Sequence, residues 1–258
     1  MIIEYIRATS IEEALRLIAR LEPQTLPMGG GTVLNRSSKQ QFAVVDLQAL
    51  GLNRIEKRGD YLRVGATTTL QQWMQYPALQ PALRLAIQRE TTVNLRQVAS
   101  AAGTIVAAGG RSILTGTLLA MDATLEILSQ AGGKQQLKLG ELLAMRHQHL
   151  PGSLITALKI PLNIQIGLEV VARTTGDLPI VYSVVGRWPS GRLRLVLGGF
   201  GKAPILAMDG SGAEGIEAIA RDAYSQAEDQ WASAEYRQEM AGILAARCLK
   251  QLDSTMVS

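Results

Sequence analysis

Cysteine is nearly absent from this chain of 258 residues, and Cys248 is the only one. One cysteine cannot form an internal disulfide, a CxxC metal site or the cysteine set that holds an iron–sulfur cluster. Because Cys248 falls in a segment with helical apolar spacing, we expect it to be a small buried residue. The two histidines, His147 and His149, stand in a polar stretch, where a solvated turn is favoured over a metal site. We therefore expect no metal centre.

Aromatic residues make up only 4% of the sequence, and its basic residues are scattered although the net charge is +4. A nucleic-acid interface usually needs a clustered basic face, and RNA-binding modules often add aromatic platforms, so we expect no nucleic-acid partner. No apolar run approaches the length of a membrane span, and the N-terminus lacks the pattern of a signal peptide. These absences predict a cytoplasmic protein with no membrane partner.

The motifs of several common catalytic sites are also missing. No G-x-S-x-G sequence occurs, and a dinucleotide-binding G-x-G-x-x-G that starts at Gly29 fails at Leu34. A P-loop ending at Gly110 would need glycine at Ile105 and lysine at Arg111. Three isolated carboxylates are interpreted as strand-end or turn residues: Asp46, Asp122 and Asp177. We therefore assign no catalytic residue.

Glycine is abundant instead, with 25 residues. The most distinctive stretch is Leu26–Asn35 (LPMGGGTVLN), in which three glycines precede a threonine. Glycine permits positive φ, and successive N–H groups can then converge on a phosphate, although a tight turn without a ligand explains the pattern as well. A second stretch, Gly103–Gly110, is also rich in small residues and is interpreted as a loop. Spacing alone does not identify a ligand for either stretch.

Hydrophobic periodicity predicts an α+β protein of two domains, with a boundary near residue 162. Ser10 and Glu13 form a capping box at the start of a helix, and Pro81 can open another. Beyond residue 162, three antiparallel strands are predicted at Ile164–Arg173, Ile180–Trp188 and Leu193–Leu197, followed by helices at Gly215–Ala227 and Ser233–Leu252. In the first part, strands are predicted at Met1–Arg7, Phe42–Leu47, Ile55–Lys57, Tyr61–Ala66, Ala123–Leu128, Lys134–Leu139 and Leu154–Ile160.

An ordered set of motifs resembles the FAD-binding (medium) subunit of molybdenum hydroxylases, the xanthine dehydrogenase and carbon monoxide dehydrogenase group. The resemblance extends over nearly the whole chain, and its order makes it specific. The segments that carry it are Ser10–Ala14, Gly29–Thr32, Val45–Leu47, Val64–Thr68, Asn94–Arg96, Gly103–Ile105, Leu118–Ala123 and Ser233–Arg237.

The resemblance implies a two-subdomain FAD-binding fold of the PCMH/vanillyl-alcohol-oxidase type over 1–162, with subdomains of about 1–52 and 53–162. A small C-terminal α/β domain with a three-stranded antiparallel sheet would follow over 163–254. It also implies an oligomer with iron–sulfur and molybdenum-cofactor subunits. The cofactor would be FAD, whose pyrophosphate both glycine-containing stretches would bind through backbone N–H groups. Carried over by position, the cofactor-binding residues are Gly29, Gly30, Gly31, Thr32 and Val33 in the first stretch, and Thr104, Ile105, Val106, Ala107 and Ala108 in the second.

Several residues depart from the family's pattern. Val106-Ala107-Ala108 stands where the family has G-G-N, the segment after it is about four residues shorter, and Leu168-Glu169-Val170 replaces a Tyr-x-Lys. Two hypotheses therefore stand side by side. The chain either binds FAD and relays electrons between an iron–sulfur partner and an external acceptor, as a flavoprotein oxidoreductase subunit, or it is a flavin-free relative that keeps the fold as a structural or assembly subunit.

Overall fold

The computed structural model describes residues 1–36 and 39–254. Their contacts group into two compact units. The first unit contains Met1–Pro77, Val93–Ala107 and Ala123–Ile160, and the second contains Ala78–Thr92, Ala108–Asp122 and the described part of Pro161–Ser258. A domain boundary near residue 162 stays a prediction. Two earlier segments, Ala78–Thr92 and Ala108–Asp122, group with the C-terminal part.

The first unit begins with a parallel three-stranded sheet in the order β1-β3-β2. Its strands are β1 (Ile2–Arg7), β2 (Thr25–Met28) and β3 (Phe42–Asp46). Helix α1 (Ile11–Ile18) buries Ala14 and Ile18 in a cluster with Val45. The predicted N-cap is confirmed, since the Ser10 hydroxyl accepts a hydrogen bond from the Glu13 N–H. The Glu13 carboxylate bonds the N–H of Thr9 instead of completing the box at Ser10.

A second sheet of the first unit has five strands in the order β4-β5-β8-β6-β7. Its strands are β4 (Ile55–Arg58), β5 (Tyr61–Gly65), β6 (Thr124–Ser129), β7 (Gly133–Lys138) and β8 (Ser153–Pro161). All five agree with the predicted strands to within a few residues. The two hairpins, β4–β5 and β6–β7, are antiparallel, as the turns at Gly59 and at Gly132-Gly133 indicate.

Short helices complete the first unit: α2 (Leu70–Met74), α4 (Val93–Arg96), α5 (Ala101–Ala107), α7 (Leu139–Ala144) and α8 (Arg146–His149). A reciprocal capping box between Thr69 and Gln72 starts α2. Helix α5 corrects the interpretation of Gly103–Gly110 as a loop, because Gly103–Ala107 is helical. Glycine and β-branched residues disfavour a helix in isolation, and burial of Ala101, Ala102 and Ile105 overrides that preference.

The second unit is built on an antiparallel sheet in the order β12-β11-β10-β9. Its strands are β9 (Gln165–Val171), β10 (Val181–Arg187), β11 (Arg192–Gly198) and β12 (Ile205–Ser211). The three predicted antiparallel strands are confirmed, and β12 adds a fourth strand at the edge of the sheet. Sequence patterning missed β12 because an edge strand that contains Asp209-Gly210 buries no continuous apolar face.

Helices cover both faces of this sheet: α3 (Pro81–Glu90), α6 (Ile113–Ala120), α9 (Ile216–Asp222) and α10 (Ala234–Ser254). On one face, the Tyr182 hydroxyl donates to the Ser112 carbonyl before α6, at 2.6 Å. On the other face, Val181 and Val185 pack in one apolar cluster with Cys248 of α10. Because successive strand residues point to opposite faces, Val181–Gly186 is buried throughout.

Candidate functional site

The glycine stretch leaves the end of β2 as an irregular turn. Gly31 has φ of +67°, and its carbonyl accepts a hydrogen bond from the Asn35 N–H at 3.1 Å. At Gly30 the backbone lies against the segment before α5, where a Cβ would come within 1.6 Å of the Val98 carbonyl oxygen. The first glycine stretch therefore lies directly against Val98–Ser100, and Gly30 permits this close approach.

The backbone N–H groups of this turn are available to a ligand. No N–H from Gly29 to Leu34 donates a hydrogen bond to another residue that the structure describes. Within the first unit this is a run of adjacent donors beside a backbone with positive φ, the arrangement that favours an anion.

The amides at the start of α5 differ, because they already have partners. The N–H groups of Ala101 and Ala102 donate to the carbonyls of Thr68 and Ala66, at 2.9 and 3.1 Å. The N–H of Gly103 donates to Ser100 Oγ at 3.3 Å, and that of Thr104 donates to the Ser100 carbonyl at 2.9 Å. This segment therefore offers a ligand its hydroxyls and small side chains, and the first stretch offers the amides.

A cavity of about 600 Å³ lies within the first unit, and both segments line it. All five residues predicted in the first stretch belong to its wall: Gly29, Gly30, Gly31, Thr32 and Val33. From the second stretch, Val106 and Ala107 also line it. Thr104 and Ile105 are not among its lining residues, and the Ile105 side chain is fully buried. Ala108 belongs to the second unit.

Residues slightly earlier in the chain take the place of those that do not reach the cavity. Ser100, Ala102 and Gly103 line it next to the first stretch. The family's G-G-N, placed over Val106–Ala108 from the sequence, can instead be placed four residues earlier, over Ala102-Gly103-Thr104, where small residues and a hydroxyl also stand. This placement removes the four-residue shortening that the other placement required. The small residues before Gly103 were the sequence signal for it.

A buried hydroxyl at this cavity was not predicted. Thr67 follows β5, lines the cavity and is 3% exposed, and its Oγ1 has no hydrogen-bond partner among the described residues. An unsatisfied buried hydroxyl costs about 1–3 kcal/mol, which a ligand oxygen within reach would offset.

The charges on the wall have one sign. Arg146 and His147 of α8 line the cavity, and no Asp or Glu is found among its described lining residues. Burial lowers the pKa of the Arg146 guanidinium, which stays protonated at neutral pH because arginine titrates far above it. The two histidines were expected in a solvated turn, but they lie in the short helix α8. His147 lines the cavity, and His149 Nε2 lies 3.8 Å from Glu141 Oε1.

The isolated carboxylates have the structural roles that their sequence positions indicate. Asp46 accepts hydrogen bonds from Tyr5 and from the Gln48 N–H, and Asp177 accepts one from the Thr174 N–H. Asp122 pairs with Arg194 at 2.8 Å. In the described part of the chain, no three His, Cys, Asp or Glu side chains are close enough together to hold a metal ion. Among residues 1–36 and 39–254, no helix combines the length and apolar character that crossing a bilayer requires.

These features fit the diphosphate part of FAD. A diphosphate needs several N–H or O–H donors and positive charge nearby, and the wall supplies a run of amides, the Thr67 hydroxyl and Arg146. The cavity size lies in the range of small-molecule sites.

Comparison with known proteins agrees with this geometry. Residues 1–163 match the family described as the FAD binding domain in molybdopterin dehydrogenase. The uncharacterized protein YgfM of Escherichia coli strain K12 is 27% identical over 255 residues, covering 95% of each chain.

Two solved structures share the fold and confirm the predicted fold class. A chain of the reconstituted CO dehydrogenase from Oligotropha carboxidovorans superimposes with a TM-score of 0.80 at 22% identity, covering 96% of each chain. A chain of quinoline 2-oxidoreductase from Pseudomonas putida 86 gives a TM-score of 0.79 at 19% identity, covering 96% of this chain and 95% of that one. On the match over residues 1–163, this chain belongs to the family of FAD-binding domains of molybdopterin dehydrogenases.

Proposed function

We propose that this chain binds FAD in the cavity of its first unit and acts as the electron-transfer subunit of a molybdenum-hydroxylase-type oxidoreductase. The observation that carries the proposal is the run of N–H donors from Gly29 to Leu34 on the wall of that cavity. Family membership supports FAD as the ligand that those donors receive.

The bound FAD would supply the redox chemistry, accepting and releasing electrons. This chain's residues hold the cofactor. The turn at Gly29–Leu34 would supply its amides to the diphosphate, and Ser100 and Thr67 would add hydroxyls from the same wall. Val33 and Val106 add apolar surface, and both are more than one-third exposed. Such contacts select a ligand that has both an anionic and an apolar part.

Electron relay requires partner chains. Cys248 is the only cysteine, so this chain cannot hold an iron–sulfur cluster of its own. We propose that a partner with such a cluster delivers electrons, that a molybdenum-cofactor subunit oxidises the substrate, and that an external acceptor removes the electrons from FAD. We propose a cytoplasmic location, since a chain with one cysteine forms no internal disulfide.

One observation favours a second function, that of a flavin-free assembly subunit. The first-turn amides of α5 are bonded to Ala66, Thr68 and Ser100, so this segment offers no free amide there to a diphosphate. A relative that had lost FAD could keep all three sheets and still bind partner subunits.

The two functions separate in one experiment on the full chain. Purified protein is denatured and the released flavin is identified by chromatography; apoprotein is then titrated with FAD while flavin fluorescence is followed. Release of FAD, or saturable uptake of one FAD per chain, supports the electron-transfer function. A colourless protein that takes up no added FAD leaves the assembly function. Co-purification with iron-containing and molybdenum-containing chains then tests the partners.

A further inference from the structure

The charged residues of the cavity wall suggest which side chain neutralises the ligand. Arg146 is the one wall residue, among those described, that is cationic at every physiological pH. No Asp or Glu is among the described lining residues, so the wall as a whole favours an anion. This observation does not depend on the glycine stretch, because Arg146 comes from α8, more than a hundred residues later.

Arg146 lies in partly buried, apolar surroundings, where a charge attracts an anion more strongly than at an open surface. The residue is half-buried, and apolar side chains such as Leu150 and Leu154 line the same wall. A guanidinium in such surroundings loses part of its hydration, and an anion beside it is screened less than at an open surface. Desolvation of the guanidinium, seen in its lowered pKa, agrees with that position.

We propose that Arg146, which lines the same cavity as Gly29–Leu34, binds the diphosphate of the bound dinucleotide and supplies the positive charge that neutralises it. The inference rests on the proposed function, since it assigns a residue to the same site. The first-turn amides of α5 already donate hydrogen bonds to protein oxygens and so cannot bind a diphosphate. The charge of Arg146 would replace the contribution that these amides cannot make. A planar guanidinium can contact two phosphate oxygens at once, which one backbone amide cannot do.

The recognised chemistry is a diphosphate, which FAD and ADP share and riboflavin lacks. The test titrates the full chain with each of the three. Two variants are compared: Arg146→Lys, which keeps the charge, and Arg146→Met, which removes it at similar length. Arg16→Gln serves as control, because it removes one charge from an exposed residue of the same unit that does not line the cavity.

We expect Arg146→Met to raise the Kd for FAD and for ADP by about 10- to 100-fold, as loss of a charge-assisted hydrogen bond implies. Binding of riboflavin should not change. Arg146→Lys keeps the charge but not the two-point contact, so its Kd should lie between those of the wild type and the Met variant, and the Arg16 control should match the wild type. ADP binding should also weaken with rising salt in the wild type and the Lys variant, and much less in the Met variant.

Thermal unfolding without ligand shows whether each variant is folded, and the Lys and Met variants are compared only at temperatures where both are. Equal FAD and ADP affinities in these two variants overturn the assignment of Arg146 while FAD binding itself stands. Equal losses of riboflavin and ADP binding also overturn it, since they indicate a damaged cavity. A wild-type chain that binds neither FAD nor ADP refutes the proposed function and this inference together.

Discussion

Gly31 shows how one residue determines the shape of the candidate site. Its φ of +67° belongs to the left-handed region, which glycine adopts freely and β-branched residues avoid. A Cβ there would meet only the flexible ends of Asn35 and Met28, at 3.3 and 3.4 Å, so the cost of a substitution lies in the backbone. We expect Gly31→Val to destabilise the turn by about 1–3 kcal/mol and to weaken FAD binding.

The matched control is Gly31→Asn, because asparagine tolerates the left-handed region. Calorimetry and FAD titration of both variants check the prediction. Equal effects of Val and Asn would show that side-chain bulk, and not backbone conformation, matters at this position.

Cys248 provides a second test at the level of a residue. Its side chain is fully buried and its thiol donates to the Ser183 carbonyl at 3.3 Å, so the expectation of a small buried residue is confirmed. Burial raises the pKa of the thiol to about 12. Because the thiolate is the reactive form, we expect no reaction of the native chain with a disulfide reagent at pH 8, and one equivalent after denaturation. Rapid native labelling would contradict the packing of α10 on the sheet.

Among the elements, the five-stranded sheet contains a buried carboxylate that ion pairs surround. Glu126 of β6 is 3% exposed and lies 2.9 Å from Arg63 of β5, 3.7 Å from Lys159 of β8 and 3.9 Å from Lys134 of β7. Burial alone would raise the pKa of Glu126, but the Arg63 hydrogen bond and the three cations outweigh it and lower the pKa below 4.5. Ionised Glu126 therefore stabilises the fold above pH 4.5, and this contribution is lost as the pH falls through the lowered pKa of Glu126.

We expect Glu126→Gln to cost about 1.5–3 kcal/mol at pH 7 and progressively less toward pH 3. Urea unfolding at several pH values measures the difference from the wild type. Glu56→Gln is the control, because Glu56 pairs with Arg58 on the exposed part of the same sheet and should matter much less. A cost for Glu126→Gln that does not depend on pH would contradict the ionic origin.

The sequence predicted those elements whose local signals agree with their packing. Ser10 and Pro81 mark helix starts that the structure contains, and the strands of the five-stranded sheet lie where periodicity placed them. Strand β2 was missed because four residues with a proline carry little pattern. Helix α5 was wrongly read as a loop because its composition resembles one, and tertiary contacts decide its conformation.

The candidate site could be predicted only where it is contiguous in the chain. Gly29–Val33 forms one local turn, and all five residues line the cavity. Thr67 and Arg146 come from distant segments, and no local pattern distinguishes the arginine that reaches a cavity from those on the surface. The family pattern was placed over Thr104–Ala108, of which only Val106 and Ala107 line the cavity, whereas Ser100, Ala102 and Gly103 also line it.

For the molecule as a whole, the proposed site predicts which amides a bound ligand protects from hydrogen exchange. The cavity wall lies entirely in the first unit, and the amides of Gly29–Leu34 donate to no described residue. Amides without hydrogen bonds exchange with solvent quickly, and a ligand that receives them slows exchange by a factor of one plus the ratio of free ligand concentration to Kd, because only the unliganded chain exchanges. At FAD one hundred times above its Kd, we therefore expect about a hundredfold slower exchange in peptides that cover this turn.

Peptides from α10 should serve as the internal reference, because that helix lies in the second unit and its amides are already bonded within a long helix. Hydrogen exchange followed by mass spectrometry measures both regions in one sample. ADP should protect the same turn, since it carries the diphosphate, whereas riboflavin should not. If FAD protects other peptides but not Gly29–Leu34, the cofactor binds elsewhere. The turn would then serve only to pack against Val98–Ser100.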